Sequence, residues 1–457
     1  MGYNIPLWGD PERKLKVSTA VEAVKVEGQS EAIHIDAHAS KAAGAMKCPH
    51  LGAQYNPFAG PHVEDPHPFY AELRRDAPVS YNPMLGMWLV SRYEDICHVL
   101  KDPTRYSSAD LGNMGSVLSP ATLAVLAEGY PLADSLINSD PPAHTRLRKL
   151  LGRGFSAQRI AAQEAPIRAV SEELIQAFAS KGHADLVTEF AYPLPVRVIL
   201  GMAGVPQEDM ADIKRWCDDF FRMIFTRVPP EEQPPLARSW VTYQHYVARL
   251  IRDRTDDPRD DLISYLVTTD ADGEALTLPE LIIAIAGSML AAGHETTTAL
   301  LAQCWKQALL QPGLWQRLRE DRSLVPHLIE ETLRFDSVAH GMIRTTTEDV
   351  ELAGVALPKG SRLLLLYASG SRDSALLADG EHFDVSRHHP THLGFGRGIH
   401  FCIGAPLARL EALIATNLLL DKLPDLKLEE NPDFGHTQSL TIRTIQHLRV
   451  NWTPTGT

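Results

Sequence analysis

From position 278 to 311 the chain carries its longest apolar run, LPELIIAIAGSMLAAGHETTTALLAQCWKQALLQ. Thr277 is placed to cap a helix here, Pro279 falls in the first turn, and Glu280 completes a capping box. Pro312 and Gly313 stop it. The spacing predicts a helix of roughly 33 residues, about 50 Å at 1.5 Å per residue, far beyond the usual length of about 11–12. A helix so long and so apolar must pass through the middle of the protein, so the rest of the chain has to be built around it. Its centre, Gly293–Thr298, nevertheless holds a glycine, a histidine, a glutamate and three threonines. Glycine and β-branched threonine lower helix propensity, and a buried carboxylate without a partner is costly. A partner elsewhere in the sequence has to compensate.

The 457 residues allow one large domain or a few ordinary ones. A hydrophobic share of 44% with 22% charged residues is the balance of a globular protein. A net charge of −13 excludes a dedicated nucleic-acid binder, which needs a basic surface. The five cysteines (48, 97, 217, 304 and 402) are odd in number and scattered, with no CxxC pair, which suits a reducing cytosol. The N-terminus has no stretch of signal-peptide or membrane-anchor length, and Pro6 spoils a myristoylation pattern. The expectation is a cytoplasmic protein without a membrane anchor.

Residues 1–50 lack a sustained period and read as a loosely ordered extension; residues 51–457 read as one catalytic domain, mainly α with minor β. WLVSRYEDICHVL passes from a short strand into a helix, and RLRKLLGRGF and RAVSEELIQAFA show apolar residues at helical spacing. Strands are expected late, in VELAGVALPKGSRLLLLY and LTIRTIQHLRVNW.

Three clusters carry chemistry. His294–Glu295 opens a zinc-protease H-E-x-x-H pattern, but Thr298 stands at the second histidine position and the metal face is missing. A buried hydrogen-bonded cluster is the plain reading of these residues taken alone. In LGFGRGIHFCIGAPLARLE, a dinucleotide G-x-G-x-x-G pattern breaks at Ile399 and Phe401. What remains is a glycine turn and Cys402 just before a helix start, where backbone N–H groups favour thiolate. Glu331 and Arg334 in EETLR lie three apart on a helix, ordinarily a weak surface pair.

Together F-G-x-G-x-H-x-C-x-G at Phe395–Gly404, A-G-x-E-T at Ala292–Thr296 and E-x-x-R at Glu331–Arg334 resemble the three signatures of the cytochrome P-450 superfamily, in its order and separations. DPPAHTRLRKLLGRGF, Asp140–Phe155, is similar to its soluble bacterial class. The resemblance implies that fold, with a long central helix over a buried haem b, and a haem-thiolate monooxygenase. It places Cys402 on the iron, with Phe395, Gly396, Gly404, Ala292 and Gly293 against the haem, and Gly293 leaving room for dioxygen. It places His144, Arg148, Arg344 and His400 on the propionates, Glu295 and Thr296 in proton delivery, and Arg387 in a structural network with Glu331 and Arg334. Val338 departs from a common proline and Ser371 from a common asparagine, which bears on local backbone shape.

The resemblance also implies its partners: dioxygen, a small lipophilic substrate, and electrons from a separate ferredoxin fed by an NAD(P)H-dependent reductase. Arg146, Lys149 and Arg153 are the candidate ferredoxin contacts. The substrate pocket is expected from the segment after Tyr106, Phe220–Phe225, Ala291, Ala292, Val338–Ile343 and Ser439–Thr441. A peroxide-driven relative would lack the Glu295–Thr296 pair. A haem sensor would use the Cys48–Pro49–His50 triplet.

Overall fold

The computed structural model describes residues 50–113, 118–226, 228–271 and 274–454; Cys48 and Pro49 of the triplet lie outside the described residues. The Thr277 hydroxyl accepts from the Glu280 amide, and the Glu280 carboxylate accepts from the Thr277 amide at 2.8 Å, so the capping box forms as read. The helix then runs unbroken over residues 278–310 in three windings: Leu278–Ile283, a wider π-turn segment Ala284–Ala291, and Ala292–Leu310.

The elements that surround it are, in chain order, β1 (Val79–Asn82), β2 (Met87–Val90), α1 (Tyr93–Lys101) and β3 (Tyr106–Ser107). Helices α2 (Ala143–Gly152), α3 (Glu164–Ala179), α4 (Pro193–Ala203), α5 (Met210–Phe225) and α6 (Gln233–Asp256) precede the central helix, α7. After it come α8 (Leu324–Phe335), β4 (Met342–Thr346), β5 (Arg362–Leu365) and α9 (Ala405–Lys422). The reading of mostly helix with minor sheet agrees with this architecture.

The C-terminal half of α7 is buried on nearly every side, as an all-round apolar helix must be. Trp305 stacks on Phe190 with ring centroids 5.1 Å apart, and its indole N–H donates to Thr416 of α9 at 3.0 Å. That bond satisfies the one polar atom of a large buried ring.

One sheet has the order β1–β2–β5–β4–β3; β2 and β5 run parallel and the other neighbours antiparallel. Val90, Ile96, Tyr106, Leu363 and Leu365 bury one face of it in a second apolar cluster. The strand expectation in VELAGVALPKGSRLLLLY holds for Val350–Leu352, Val355–Leu357 and β5. LTIRTIQHLRVNW forms a strand only at Arg449–Asn451, preceded by isolated bridges at Ile442 and Ile445. Among the described residues no helix is long and apolar enough to cross a membrane.

Candidate active site

Within the π segment the backbone bonds reach five residues back, as from Ala292 N–H to Gly287 C=O. The side chains that reach the main cavity follow that winding: Ile283, Ser288, Ala292 and Thr296 share one face. Ala291, expected there too, is fully buried and does not line the cavity, because the next turn carries Ala292 round instead. Gly293 does border the cavity, but a Cβ on it would stand 3.2 Å from Ile199 of α4. The close approach of α4 is thus a second constraint on this position, beside its place on the cavity wall.

Thr296 donates its hydroxyl proton to the Ala292 carbonyl at 2.8 Å, leaving the oxygen lone pairs for the cavity. Glu295 does not line the cavity. It points toward α5, where its Oε1 lies 3.1 Å from His294 Nε2 while His294 Nδ1 meets the Leu290 carbonyl at 2.6 Å. Burial pushes the Glu295 carboxyl up, but the His294 bond, with Lys214 and Asp218 of α5 behind it, brings it below the usual range. Asp218 is pushed up by burial and by Glu295 itself, against the pull of Lys214. The plain reading of the His294–Glu295 stretch, a buried hydrogen-bonded cluster, is thus also true of it.

Opposite Thr296 the chain turns through Leu393–Gly404. Gly396 and Gly398 sit at φ of 69° and 72°, which only glycine adopts freely. The Cys402 amide donates to the Phe395 carbonyl at 2.9 Å, closing the loop with its sulfur on the cavity wall. Arg409 stacks 4.6 Å over the Phe395 ring. Ser371, the departure from asparagine, accepts from the Leu393 amide at 3.0 Å and so holds the loop's entry. Burial pushes the Cys402 thiol up, and hydrogen bonds from the Gly404 and Ala405 amides oppose it without prevailing. The amides at the helix start thus favour the thiolate, as the sequence suggests, and a metal on sulfur would complete the deprotonation.

The rim between these walls is cationic. Arg148, Arg344 and His400 all border the cavity, and the His144 and His400 rings lie 4.4 Å apart. Burial and then Arg344 and His144 hold His400 down to about 3. Burial and then Arg148 lower His144, whose Nε2 is buried without a hydrogen-bond partner. His400 Nε2 meets Ser108 Oγ at 2.8 Å, Arg148 donates to the Phe401 carbonyl at 2.6 Å, and Arg344 to the Ile343 carbonyl at 2.7 Å. Two arginines beside an orphaned imidazole nitrogen call for a carboxylate-bearing ligand. Haem, with its flat faces, two propionates and an iron in need of a thiolate, fits this donor set.

The structural network forms as expected. Arg334 donates to Glu331 through Nε at 2.8 Å and Nη2 at 2.7 Å, and Arg387 reaches Glu331 Oε1 at 3.4 Å. Arg334 also donates to the carbonyls of Gly380 at 2.6 Å and His382 at 2.8 Å, tying α8 to the segment before the cysteine loop.

The cavity holds about 770 Å³ and is largely apolar. Phe220, Phe221, Ile224 and Phe225 line it as expected, with Leu111, Val338, Ala339 and Met342. Ser439–Thr441 do not; the bridge from Ala339 to Ile442 brings Ile442 forward in their place. Sequence reasoning missed the loop from Leu132 to Asn138 and Trp240 of α6. The loop has no period to betray it.

Arg146 is engaged within the chain, donating to Glu280 at 2.7 Å and to the Ala275 carbonyl at 2.6 Å. Lys149 and Arg153 are exposed.

Comparison with known proteins agrees with this arrangement. The family model described as Cytochrome P450 matches residues 75–445. The chain is 37% identical over 410 residues to cytochrome P450 monooxygenase PikC of Streptomyces venezuelae, covering 88% of this chain and 94% of that protein. It is 33% identical over 411 residues to a vitamin D(3) 25-hydroxylase of Pseudonocardia autotrophica, covering 88% and 97%. Among solved structures, cytochrome P450 CREJ in complex with (4-ethylphenyl) dihydrogen phosphate superposes with a TM-score of 0.83 at 32% identity, over 88% of this chain and all (100%) of that one.

Proposed function

The chain belongs to the cytochrome P450 family, haem-thiolate oxidoreductases that incorporate oxygen from O2 into small substrates, and from that membership we propose its particular reaction and the roles of its residues. The protein hydroxylates or epoxidises a lipophilic, medium-sized molecule, drawing electrons from a separate ferredoxin and NAD(P)H-dependent reductase. The observation that carries this reading is that Cys402 and Thr296 border one apolar cavity of about 770 Å³. A relative named as a vitamin D(3) 25-hydroxylase supports a substrate of that size and polarity.

Haem held through Cys402 supplies the activation of dioxygen and the oxygen transfer. The remaining work falls to this chain. Phe395, Gly396, Gly404, Ala292 and Gly293 pack the two faces of the cofactor. Arg148 and Arg344 would neutralise its carboxylates, and the His144 and His400 rings would donate hydrogen bonds to them. The apolar lining excludes water, so protons must come by a fixed route. Thr296 Oγ1 takes and passes a proton at the cavity wall, and Glu295, hydrogen-bonded to His294, relays protons inward from the α5 side. Glu331, Arg334 and Arg387 fix the cysteine loop and touch nothing that reacts.

The Glu295–Thr296 pair favours this over a peroxide-driven reaction, which needs no such delivery. The test is turnover with a surrogate ferredoxin and reductase under ¹⁸O2, across a library of lipophilic compounds. Label in a product formed only with NAD(P)H supports the reading; product formed only with added peroxide would overturn it.

A further inference from the structure

Ile442 borders the main cavity on one side and, on the other, a far smaller chamber of about 10 Å³, room for one water-sized group. His62, His340, Ser439 and Arg443 also line this chamber, and no Asp or Glu does. Two of the three Arg443 guanidinium nitrogens donate to the Val63 and Glu64 carbonyls; Nε has no hydrogen-bond partner, the Asp336 carboxylate standing 3.8 Å off. His340 meets the Tyr70 hydroxyl through Nδ1 at 3.5 Å, and its Nε2 is buried without a partner. The Ser439 oxygen accepts from the Thr441 and Ile442 amides at 3.4 and 3.2 Å, which leaves its proton for the chamber. His62 Nδ1 accepts from the Asn56 amide at 3.2 Å, so its proton sits on Nε2. The charges behind these donors are uneven. Lys306 and Arg443 share Asp336, which also accepts from Gln307 at 3.0 Å, and all three charged groups are buried. Two cations thus face one carboxylate, and a charge left unmatched out of water is costly. Burial and then Arg443 hold His340 well below its ordinary range, so its ring is a neutral donor.

We propose that this chamber binds one small inorganic anion of the halide class, held by Arg443 Nε, His340 Nε2 and the Ser439 hydroxyl. A water molecule fits the volume, but it brings two protons to walls whose open groups are already donors, and it carries no charge. A halide accepts from every donor at once and supplies the missing negative charge. The Tyr70 hydroxyl then donates to His340 Nδ1, which fixes the ring proton on Nε2. The anion fastens residues 437–443 where Arg443 already grips the helical turn Pro61–Glu64. It thereby steadies Ile442, the one residue that both cavities share. Neither the substrate nor the reaction proposed above enters this reasoning.

The test uses the haem-loaded full chain, in which cofactor carboxylates take up the rim arginines of the main cavity, and bromide as the probe. In crystals grown with sodium bromide, anomalous scattering should place one bromide between His340 and Arg443. In solution, sodium bromide is titrated at constant ionic strength against sodium gluconate, whose anion is too large for the chamber. The thermal midpoint should rise saturably with bromide. His340→Phe removes a donor and should weaken that response about 10–100-fold in bromide concentration, the worth of a hydrogen bond to a charged group. His340→Gln, which returns an N–H near the Nε2 position, should recover most of it. Water in the chamber of the bromide crystals overturns the proposal. So does a bromide peak without a saturable rise in solution, which would mean binding at crystal concentration only. Equal responses of the wild type and His340→Phe would put the halide elsewhere and overturn it as well. The wild-type crystal and titration decide the matter even where a variant does not fold.

Discussion

The Glu331 carboxylate and the Arg334 guanidinium meet through two hydrogen bonds, at 2.8 and 2.7 Å, with neither side chain exposed to any degree. The pair that looks like a surface ornament in the sequence is the most buried ion pair among the described residues. Breaking one side of such a pair leaves the other charge unpaired, at a cost of about 3–5 kcal/mol. Glu331→Ala should therefore give aggregated or haem-free protein. Soluble, fully haem-loaded Glu331→Ala, judged by haem content per protein, would show the network to be dispensable.

Thr296 and Glu295 divide the proton work, so their variants should fail differently. Losing a positioned acid–base group costs about 10²–10⁴-fold in the affected step. Thr296→Ala should keep its haem spectrum and its NAD(P)H consumption while diverting oxygen to hydrogen peroxide. Glu295→Gln should slow turnover with less diversion, since the cavity wall stays intact. The measurement is product formed per NAD(P)H consumed, with a peroxide assay alongside. An unchanged ratio in Thr296→Ala would reassign the proton transfer to the substrate or to a fixed water.

The sequence made the long helix legible because its cap, its stop and its apolar run are all local signals. The π segment was not, since Ala, Ile and Gly carry no mark that separates a five-residue winding from a four-residue one. That winding decides that Ser288 and Ala292, rather than Ala291, face the cavity. The cysteine loop and the Glu331–Arg334 pair were readable through motif spacing. The Arg146–Glu280 bond was not, because its partners lie 134 positions apart and meet only once α2 reaches the start of α7. Likewise the approach of Ile199 to Gly293 is a tertiary fact with no local signal.

Arg344 and His144 should govern how tightly the cofactor is kept. Charge-assisted bonds are worth about 1.5–3 kcal/mol each, or roughly 10–100-fold in an equilibrium or escape rate. Arg344→Met should lose haem to an excess of apomyoglobin about 10–100 times faster than the wild type, and Arg344→Lys by a smaller factor. Equal rates for Arg344→Met and wild type would remove Arg344 from the propionate set.

Glu330 of α8 ties that helix to α9 through Arg409, at 2.6 and 2.8 Å, and to His392 at 3.1 Å. Burial raises its carboxyl, but the Arg409 and His392 bonds outweigh burial and bring it down to about 2. A carboxyl depressed on folding adds stability that is complete above its unfolded value and fades as pH falls toward the folded one. Urea midpoints should therefore fall between pH 4.5 and 2 more steeply in the wild type than in Glu330→Gln. Parallel slopes would mean that Glu330 titrates alike in the folded and unfolded chain.

The most direct test of the whole account is the ferrous–carbon monoxide spectrum of the wild type beside Cys402→Ser. Thiolate ligation by Cys402 requires the wild type to show a red-shifted Soret band, and Cys402→Ser to lose it along with nearly all oxygenase activity. Because Cys97, Cys217 and Cys304 are buried in the core, none of them can stand in. A red-shifted band that survives in Cys402→Ser, or one absent from the haem-loaded wild type, would contradict the account.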